Sequence, residues 1–251
     1  MKPAALRHIG RLLGLLVLSL LSLQLFFLFR IALMTVIDPQ STTFQRSEAW
    51  RLLNERGRID WSQQWVADER IAANLKRAVI ASEDAAFAEH AGVDWDAIER
   101  AWDRNQRAEA RVEQRNRLND KRSQPRVEPK VIGGSTITQQ LAKNLFLSGE
   151  RTPMRKAQEF ALTFALEACL SKRRILEIYL NNVEWGEGVF GAQAAARHYY
   201  HVDAAQLGTY PAARLAVMLP APKRFEKRPG SPYVQSRAAT VVARMGAVEL
   251  P

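Results

Sequence analysis

The sequence predicts a mostly α-helical protein with one membrane-spanning helix near its N-terminus. Three observations support this fold class: an uncharged apolar run follows Leu12, capped helices succeed one another beyond it, and no segment alternates convincingly as a β-strand. The chain has 251 residues, one cysteine and a net charge of +10. Roughly two hundred residues follow the apolar run, which is enough for one domain with a hydrophobic core.

The apolar run has no charge from Leu12 to Phe29 and continues past Arg30 to Ile37. A helix of this length crosses a hydrocarbon core of about 30 Å. A cleaved signal peptide is the alternative, but the run is longer than a usual signal-peptide core and no Ala-x-Ala site follows it. We therefore predict an N-terminal segment at 1–11, a retained anchor at 12–37, a linker at 38–65 and a folded domain at 66–251.

The charges that precede the anchor predict its orientation. Lys2, Arg7 and Arg11 lie on its N-terminal side. By the positive-inside rule, the N-terminus is then cytoplasmic and everything after Ile37 lies outside the inner membrane.

Small and apolar residues at helical spacing predict a helix from Arg77 to His90. This helix would place Glu83, Phe87 and His90 on one face, with the carboxyl group beside an aromatic ring. Partial burial raises the pKa of a carboxyl group, which suits an acid or base that works near neutrality. The alternative is an exposed Glu83 paired with nearby cations.

The segment from Arg100 to Lys130 is strongly basic, with ten Lys or Arg residues and five Asp or Glu. It lacks a usable apolar period, so we predict a solvated loop. A nucleic-acid arm is less consistent with the sequence, because no aromatic residue interrupts the basic run after Trp102 to stack on bases. Attraction to anionic lipid headgroups is the other interpretation.

The segment from Gly133 to Asn144 predicts a helix with one apolar stripe and one polar stripe. The polar stripe contains Thr136, Gln140 and Lys143, and it lies near the positive end of the helix dipole. Hydroxyl, amide and ammonium groups in such a row favour an anionic, hydrogen-bonding partner. An ordinary capped helix, with Gln139 closing a capping box, is the alternative that this segment alone leaves open.

Three further helices have clear starting signals. Thr152-Pro153 begins a helix that continues to Leu170, Ser171 caps the next helix, which ends near Asn182, and Ser231-Pro232 begins the last. Glycines interrupt the helical pattern after Asn182.

Four motifs occur in order along the chain. They are Glu83-Asp84-x-x-Phe87-x-x-His90-x-Gly92, Gly134-x-Thr136-x-Thr138-Gln139-Gln140-Leu141-x-Lys143-Asn144, Arg155-Lys156-x-x-Glu159 and Lys172-x-x-Ile175-Leu176-Glu177-x-Tyr179-Leu180-Asn181. Together they resemble the motifs of the bacterial peptidoglycan glycosyltransferases, which are lysozyme-like enzymes that polymerise lipid II. The resemblance covers roughly Ile71 to Phe225, and the short chain resembles the monofunctional, membrane-anchored branch. It implies a lysozyme-like lobe with a smaller, membrane-proximal lobe beside the cleft.

The resemblance implies specific roles for residues of these motifs. Glu83 would be the general base that deprotonates the 4-hydroxyl of lipid II, giving inversion and β-1,4 linkages. Glu159 would be a second catalytic residue, acting at the donor pyrophosphate. The residues expected to contact substrate are Asp84, Thr136, Gln140, Lys143, Arg151 and Arg155. A plain ion pair between Glu159 and Arg155, worth about 0.2 to 0.5 kcal/mol, is the structural alternative.

The same resemblance implies the cofactors and partners. We expect no organic cofactor, while a divalent cation such as Mg²⁺ or Mn²⁺ could bind near Glu159 and the pyrophosphate. The expected partners are lipid II, the growing glycan strand, the membrane, and proteins of a cell-wall synthesis or division complex. Nucleic acid is not expected.

Two other functional classes share parts of this pattern. A muralytic hydrolase or lytic transglycosylase also uses a lysozyme-like fold with one essential glutamate, but it does not need a cationic pyrophosphate site. A non-catalytic scaffold would not need to retain Glu83 and Glu159. The sequence contains neither a Ser-x-x-Lys nor a Lys-Thr-Gly motif, so no transpeptidase activity is expected.

Overall fold

Helices dominate the computed structural model, which describes residues 3–121, 124–129, 133–150 and 152–251. The mostly α fold class and the N-terminal apolar helix are therefore confirmed. In chain order the helices are α1 (Pro3–Leu33), α2 (Thr43–Arg56), α3 (Ala73–Glu83), α4 (Trp95–Lys121), α5 (Ile137–Phe146), α6 (Pro153–Cys169), α7 (Lys172–Asn182), α8 (Ala192–Tyr200), α9 (Thr209–Met218), α10 (Pro222–Phe225) and α11 (Pro232–Met245).

Helix α1 exposes apolar side chains over most of its length, and its stretch His8–Leu33 is long and apolar enough to cross a membrane. It ends at Leu33, slightly before the predicted limit of residue 37. Its last turns pack on the folded domain, where Phe27 contacts Phe146 at 5.4 Å between ring centroids and the Arg30 guanidinium lies 5.3 Å from the same ring. The side-chain amides of Gln24 and Gln158 donate to each other at 2.8 and 3.1 Å.

The predicted linker at 38–65 is wrong, because this segment belongs to the folded domain. Helix α2 begins at a capping box formed by Thr42 and Gln45 and packs against α5. Gln45 also donates to the backbone of Asn182 at 3.3 Å, and Leu52 is fully buried. The sequence does not predict this helix, because most of its residues are polar and few are buried.

The core lies between two groups of packed helices. Helix α3 packs against α9 and α11, while α5 packs against α6 and α7. The predicted caps Thr152, Ser171 and Ser231 each accept a backbone N–H in the first turn of α6, α7 and α11. Each end that the sequence predicted for these three helices is confirmed to within one residue.

The helix predicted from Arg77 to His90 ends early, at Glu83. Asp84 has an extended φ of −162°, which stops the helix, and the chain continues in turns. Phe87 is nevertheless fully buried, and its ring makes an edge contact with His90. The carboxyl group of Glu83 therefore lies at the C-terminal end of α3 and not along a continuous helical face.

The basic segment predicted as a loop contains α4, which extends to Lys121. Arg, Glu, Gln and Ala have high helix propensity, so this helix forms without a strong apolar stripe. Beyond it, residues 124–129 run back along α4. The Asn116 side chain bonds both the N–H and the C=O of Val127, at 2.8 and 2.9 Å.

Three very short strands form a small sheet, although no segment of the sequence alternates convincingly as a β-strand. They are β1 (Ser62–Gln63), β2 (Glu184–Gly186) and β3 (Val189–Phe190), in the order β1-β3-β2. Strand β3 pairs parallel with β1 and antiparallel with β2. Segments of two or three residues are too short to show the alternation that a sequence pattern requires. The sheet fixes the chain that follows α7, which forms part of the site described below.

Candidate active site

A cleft of about 580 Å³ lies between α5, the start of α6, and the chain that follows α7 and α9. Its wall includes four residues predicted from the sequence to contact substrate or catalyse: Gln140, Lys143, Arg155 and Glu159. The second and third motifs therefore meet in one cavity. Glu83, from the first motif, borders this cavity through its contact with Gln140.

The carboxyl group of Glu83 is held by a short chain of hydrogen bonds. Gln140 Nε2 donates to Glu83 Oε2 at 3.0 Å, and the Tyr179 hydroxyl donates to Gln140 Oε1 at 2.9 Å. Because Oε1 accepts from the tyrosine, the amide of Gln140 turns its N–H groups toward Glu83. The phenol is completely buried, which raises the pKa of Tyr179 well above its usual value and keeps it a donor.

Burial raises the pKa of Glu83 above its usual value, and the negative charge of Asp84 acts in the same direction. The hydrogen bonds from Gln140 and Ser82 and the positive charge of Lys143 oppose this shift. A carboxyl group with this balance can take up a proton near neutrality more readily than an exposed glutamate. The predicted chemistry of Glu83 therefore has a physical basis in its surroundings.

Asp84 caps the backbone of α5 instead of facing the cleft. Its Oδ2 accepts from the Ile137 N–H at 2.9 Å, and its Oδ1 lies 2.8 Å from His90 Nε2. The side chain is buried, and both oxygens are engaged. A carboxylate at a helix N-terminus is stabilised by the helix dipole. Asp84 therefore positions α5 beside Glu83, and its contact with substrate stays a prediction.

Thr136 has a structural role at the start of α5, and its contact with substrate stays a prediction. Its hydroxyl accepts from the Gln139 N–H at 3.2 Å and donates to the Gly92 carbonyl at 2.6 Å. The residue is only 2% exposed. The capping box between Thr136 and Gln139 is the alternative that the sequence left open, and the structure has it.

Three cationic side chains lie in the wall of the cleft. Lys143 is exposed one turn after Gln140 on α5, and Arg155 and Lys156 come from the first turn of α6. Lysine supplies a point charge and arginine a planar fork, and both bind phosphate oxygens well. Arg151, which was expected to bind phosphate with them, lies outside the described residues.

Glu159 is 3% exposed and forms ion pairs with two of these cations. Its Oε2 accepts from Arg155 at 2.8 Å, and its Oε1 accepts from Lys156. Both oxygens are occupied, and the described residues contain no group of three or more His, Cys, Asp or Glu side chains that could hold a metal ion. Glu159 therefore fits a role in orienting Arg155 and Lys156 better than it fits a metal held by the protein alone.

Sequence reasoning missed two residues of the site. Tyr179 belongs to the fourth motif but was given no role, because nothing in the sequence links it to Gln140 on another helix. Glu184 was not noticed, although it lines the cleft and is 7% exposed. A carboxylate among apolar residues, between Val183 and Trp185, was the available signal.

Comparisons with known proteins show the family of this chain. The transglycosylase family model matches residues 52–116 and 118–246, so the match begins inside the predicted linker. A biosynthetic peptidoglycan transglycosylase of Burkholderia thailandensis is 50% identical over 231 residues, which are 92% of this chain and 83% of the relative. The protein of that name from Burkholderia pseudomallei is 51% identical over the same shares. The chain therefore belongs to the transglycosylase family, as an enzyme of peptidoglycan biosynthesis that transfers glycosyl groups.

Proposed function

We propose that the enzyme polymerises lipid II into linear β-1,4 glycan strands, with inversion at the anomeric carbon and release of undecaprenyl pyrophosphate. One observation carries this proposal: a carboxyl group with a raised pKa, Glu83, accepts a hydrogen bond from Gln140 in the wall of a cleft that also contains Lys143, Arg155 and Lys156. Glycosyl transfer from a lipid diphosphate needs both features, since a proton must leave the attacking hydroxyl and negative charge must be stabilised on the leaving group.

The base is Glu83 in this proposal. The 4-hydroxyl oxygen of one sugar attacks the anomeric carbon of the other, and its proton passes to the Glu83 carboxylate. The bond from the anomeric carbon to the diphosphate oxygen breaks, and the diphosphate leaves with the electron pair. Gln140 holds the carboxylate through the bond to Oε2, and this bond favours the ionised form that accepts the proton.

The cations of the cleft bind the diphosphate groups. Arg155 and Lys156 are held by Glu159, so their positions are set before substrate arrives. Preorganised charges cost little reorganisation when the leaving group develops its charge. Because both Glu159 oxygens are engaged, we assign the predicted divalent cation to the bound substrate, whose phosphate oxygens would supply most of its ligands.

The membrane topology follows from the anchor in the same proposal. With the N-terminus in the cytoplasm, the catalytic domain lies on the periplasmic side of the inner membrane, where it meets lipid II in the outer leaflet. The packing of α1 against α6 keeps the cleft close to that leaflet. No transpeptidase activity is proposed, so the glycan would be cross-linked by another enzyme. Association with a cell-wall synthesis or division complex remains a prediction.

Full-length protein in detergent micelles, supplied with labelled lipid II, tests the function. Long polymer is the expected product, whereas cleavage of purified sacculi without polymer would indicate a hydrolase or lytic transglycosylase. If the protein forms no polymer and cleaves no sacculi, it is a non-catalytic scaffold. A penicillin label should not attach to the protein.

Two variants test the base. Glu83→Gln should lower the polymerisation rate by about 10²- to 10⁴-fold, because the amide cannot accept the proton. Glu89→Gln, which changes an exposed glutamate of the same segment, is the matched control and should retain the wild-type rate. An active Glu83→Gln variant would refute the assignment of the base.

A further inference from the structure

The cleft has a second buried carboxyl group, Glu184, that the proposed mechanism does not use. Glu184 begins strand β2, where it pairs with Phe190, and the adjacent Trp185 is fully buried. Strand pairing and the buried indole therefore fix the backbone that carries this side chain. The residue lies in the wall of the same cleft as Gln140 and Lys143.

The fold does not satisfy the hydrogen-bonding capacity of this carboxyl group. Its Oε1 is buried and has no hydrogen-bond partner in the part of the chain that the structure describes. Lys223 forms a long ion pair with this oxygen, at 3.4 Å from Nζ, and lowers the pKa of the group, but its Nζ lies closer to Glu48 Oε1, at 2.5 Å. A buried polar atom without a partner is costly, and such an atom in a binding cleft points to a ligand.

The charges around Glu184 define which ligand would fit. Two further carboxylates, from Glu48 and Glu226, lie close enough to Glu184 to raise its pKa, and Lys223 is the cation between Glu48 and Glu184. An anionic ligand would be repelled by the carboxylates, and a cationic group would compete with Lys223 for them. Burial also raises the pKa of Glu184 to about 7, so the group is not fully ionised at neutral pH. A neutral ligand with N–H or O–H groups is compatible with all of these neighbours.

The rest of this wall is apolar. Phe44, Val183, Pro220 and Pro222 line the cavity with Glu184. Flat apolar surfaces beside a single carboxylate suit a sugar ring, which presents C–H groups on its faces and hydroxyl or acetamido groups on its edge. Lys143, Arg155 and Lys156 line the same cavity, and their charges suit diphosphate. The cleft therefore offers apolar surface and a carboxyl group for a neutral sugar, and cations for an anionic phosphate.

We infer that Glu184 is a sugar-binding residue that accepts a hydrogen bond from a hydroxyl or acetamido N–H of an N-acetylated sugar in the cleft. The inference rests on the proposed function for the identity of the substrate. It assigns Glu184 to binding and not to proton transfer, so its loss should weaken substrate binding more than it slows the chemical step.

Lipid II kinetics with two variants of the full chain in micelles test the assignment. Glu184→Met removes the acceptor and should raise KM about tenfold with kcat changed less than twofold, as expected for one lost hydrogen bond. Glu184→Gln keeps a neutral acceptor of the same shape and should raise KM by about threefold, because charge-assisted bonds are stronger than neutral ones. Glu187→Met changes a nearby glutamate that pairs with Arg51 and Arg56 outside the cleft, and it should keep the wild-type KM.

The outcomes are separable from those of the proposed function. An unchanged KM in the Gln variant, which preserves side-chain shape and should fold, would overturn the assignment even if the Met variant is unstable. If wild-type protein fails to polymerise lipid II, the proposed function fails on its own. In that case, calorimetric binding of a soluble tetramer of N-acetylglucosamine tests the assignment of Glu184. Weaker binding by the Glu184→Met variant than by wild type and Glu187→Met supports the sugar site. Equal binding by all three proteins overturns it.

Discussion

Replacing Gln140 by leucine should move the acid limb of the pH–rate profile to higher pH. Gln140 Nε2 donates to Glu83 Oε2 at 3.0 Å, and this bond lowers the pKa of the carboxyl group. Burial and the charge of Asp84 act in the opposite direction, and the Gln140→Leu variant retains both. The pKa of Glu83 should therefore rise further above its ordinary value.

The size of the shift follows from the kind of bond that is lost. A hydrogen bond to a charged group contributes about 1.5 to 3 kcal/mol, which corresponds to roughly a 10- to 100-fold change in the equilibrium between the ionised and protonated forms. A general base works in its ionised form, so kcat/KM falls as the pH drops through its pKa. Gln140→Leu should thus lose about 10- to 100-fold of kcat/KM on the acid side and recover much of it at higher pH.

Polymerisation of labelled lipid II, measured from pH 5 to 9 in one detergent, gives both profiles. Asn144→Leu is the matched control, because Asn144 also lines the cleft one turn further along α5. Its acid limb should coincide with that of wild type, whatever happens to its KM. Tyr179→Phe, which frees Gln140 Oε1, should give a smaller shift in the same direction as Gln140→Leu. An acid limb that stays in place in the Gln140→Leu variant would refute the role of Gln140.

Three further predictions concern stability. Gly188 has φ +73°, and a Cβ there would lie 2.0 Å from the Asp60 carbonyl oxygen, so Gly188→Ala should lower the free energy of unfolding by about 2 to 4 kcal/mol. Gly57 has a similar φ but nothing near its Cβ position, so Gly57→Ala should lower the free energy of unfolding by only about 1 kcal/mol. Equal losses for the two glycine variants in urea denaturation would contradict this reasoning. Asp84→Ala should destabilise the protein by about 2 kcal/mol, and a thermal melting temperature equal to that of wild type would show that the cap is dispensable. The pKa of Glu184 rises on folding from 4.5 to about 7, so its ionisation removes stability as the pH rises through this range, by about 3 kcal/mol between pH 4 and 8. The free energy of unfolding of the Glu184→Gln variant should not decline over this pH range. If the unfolding free energies of the two proteins changed with pH in parallel, the prediction would be wrong.

The sequence predicted those parts of the site that depend on local pattern. The start of α5 at Thr136 with its capping box, and the start of α6 at Thr152-Pro153, depend only on residues within one turn. Helical spacing also placed Gln140 and Lys143 on one face, and both lie in the wall of the cleft. Local signals of this kind suffice because capping and helix periodicity involve near neighbours.

The remaining features depend on contacts between residues far apart in the chain. The end of α3 at Glu83 depends on Asp84, whose carboxylate is bound by the N-terminus of α5, and no pattern near residue 84 shows this. The link from Tyr179 to Gln140 joins two helices, and Glu184 gains its raised pKa from burial against other elements. Helix α4 was missed for another reason, since polar helix formers support a surface helix without an apolar stripe.

The amide pair between Gln24 and Gln158 has a consequence for how the enzyme turns over. Gln24 lies roughly 14 Å before the end of α1, so the pair joins the domain to α1 well before the helix ends. A domain on a flexible linker would rotate freely relative to its helix, whereas this contact restricts both rotation and tilt. In the proposed membrane topology, molecules that diffuse laterally in the leaflet would then meet the cleft at a constant height. Exchanging α1 for an unrelated hydrophobic helix should therefore slow the capture of lipid-linked molecules even though the protein stays attached.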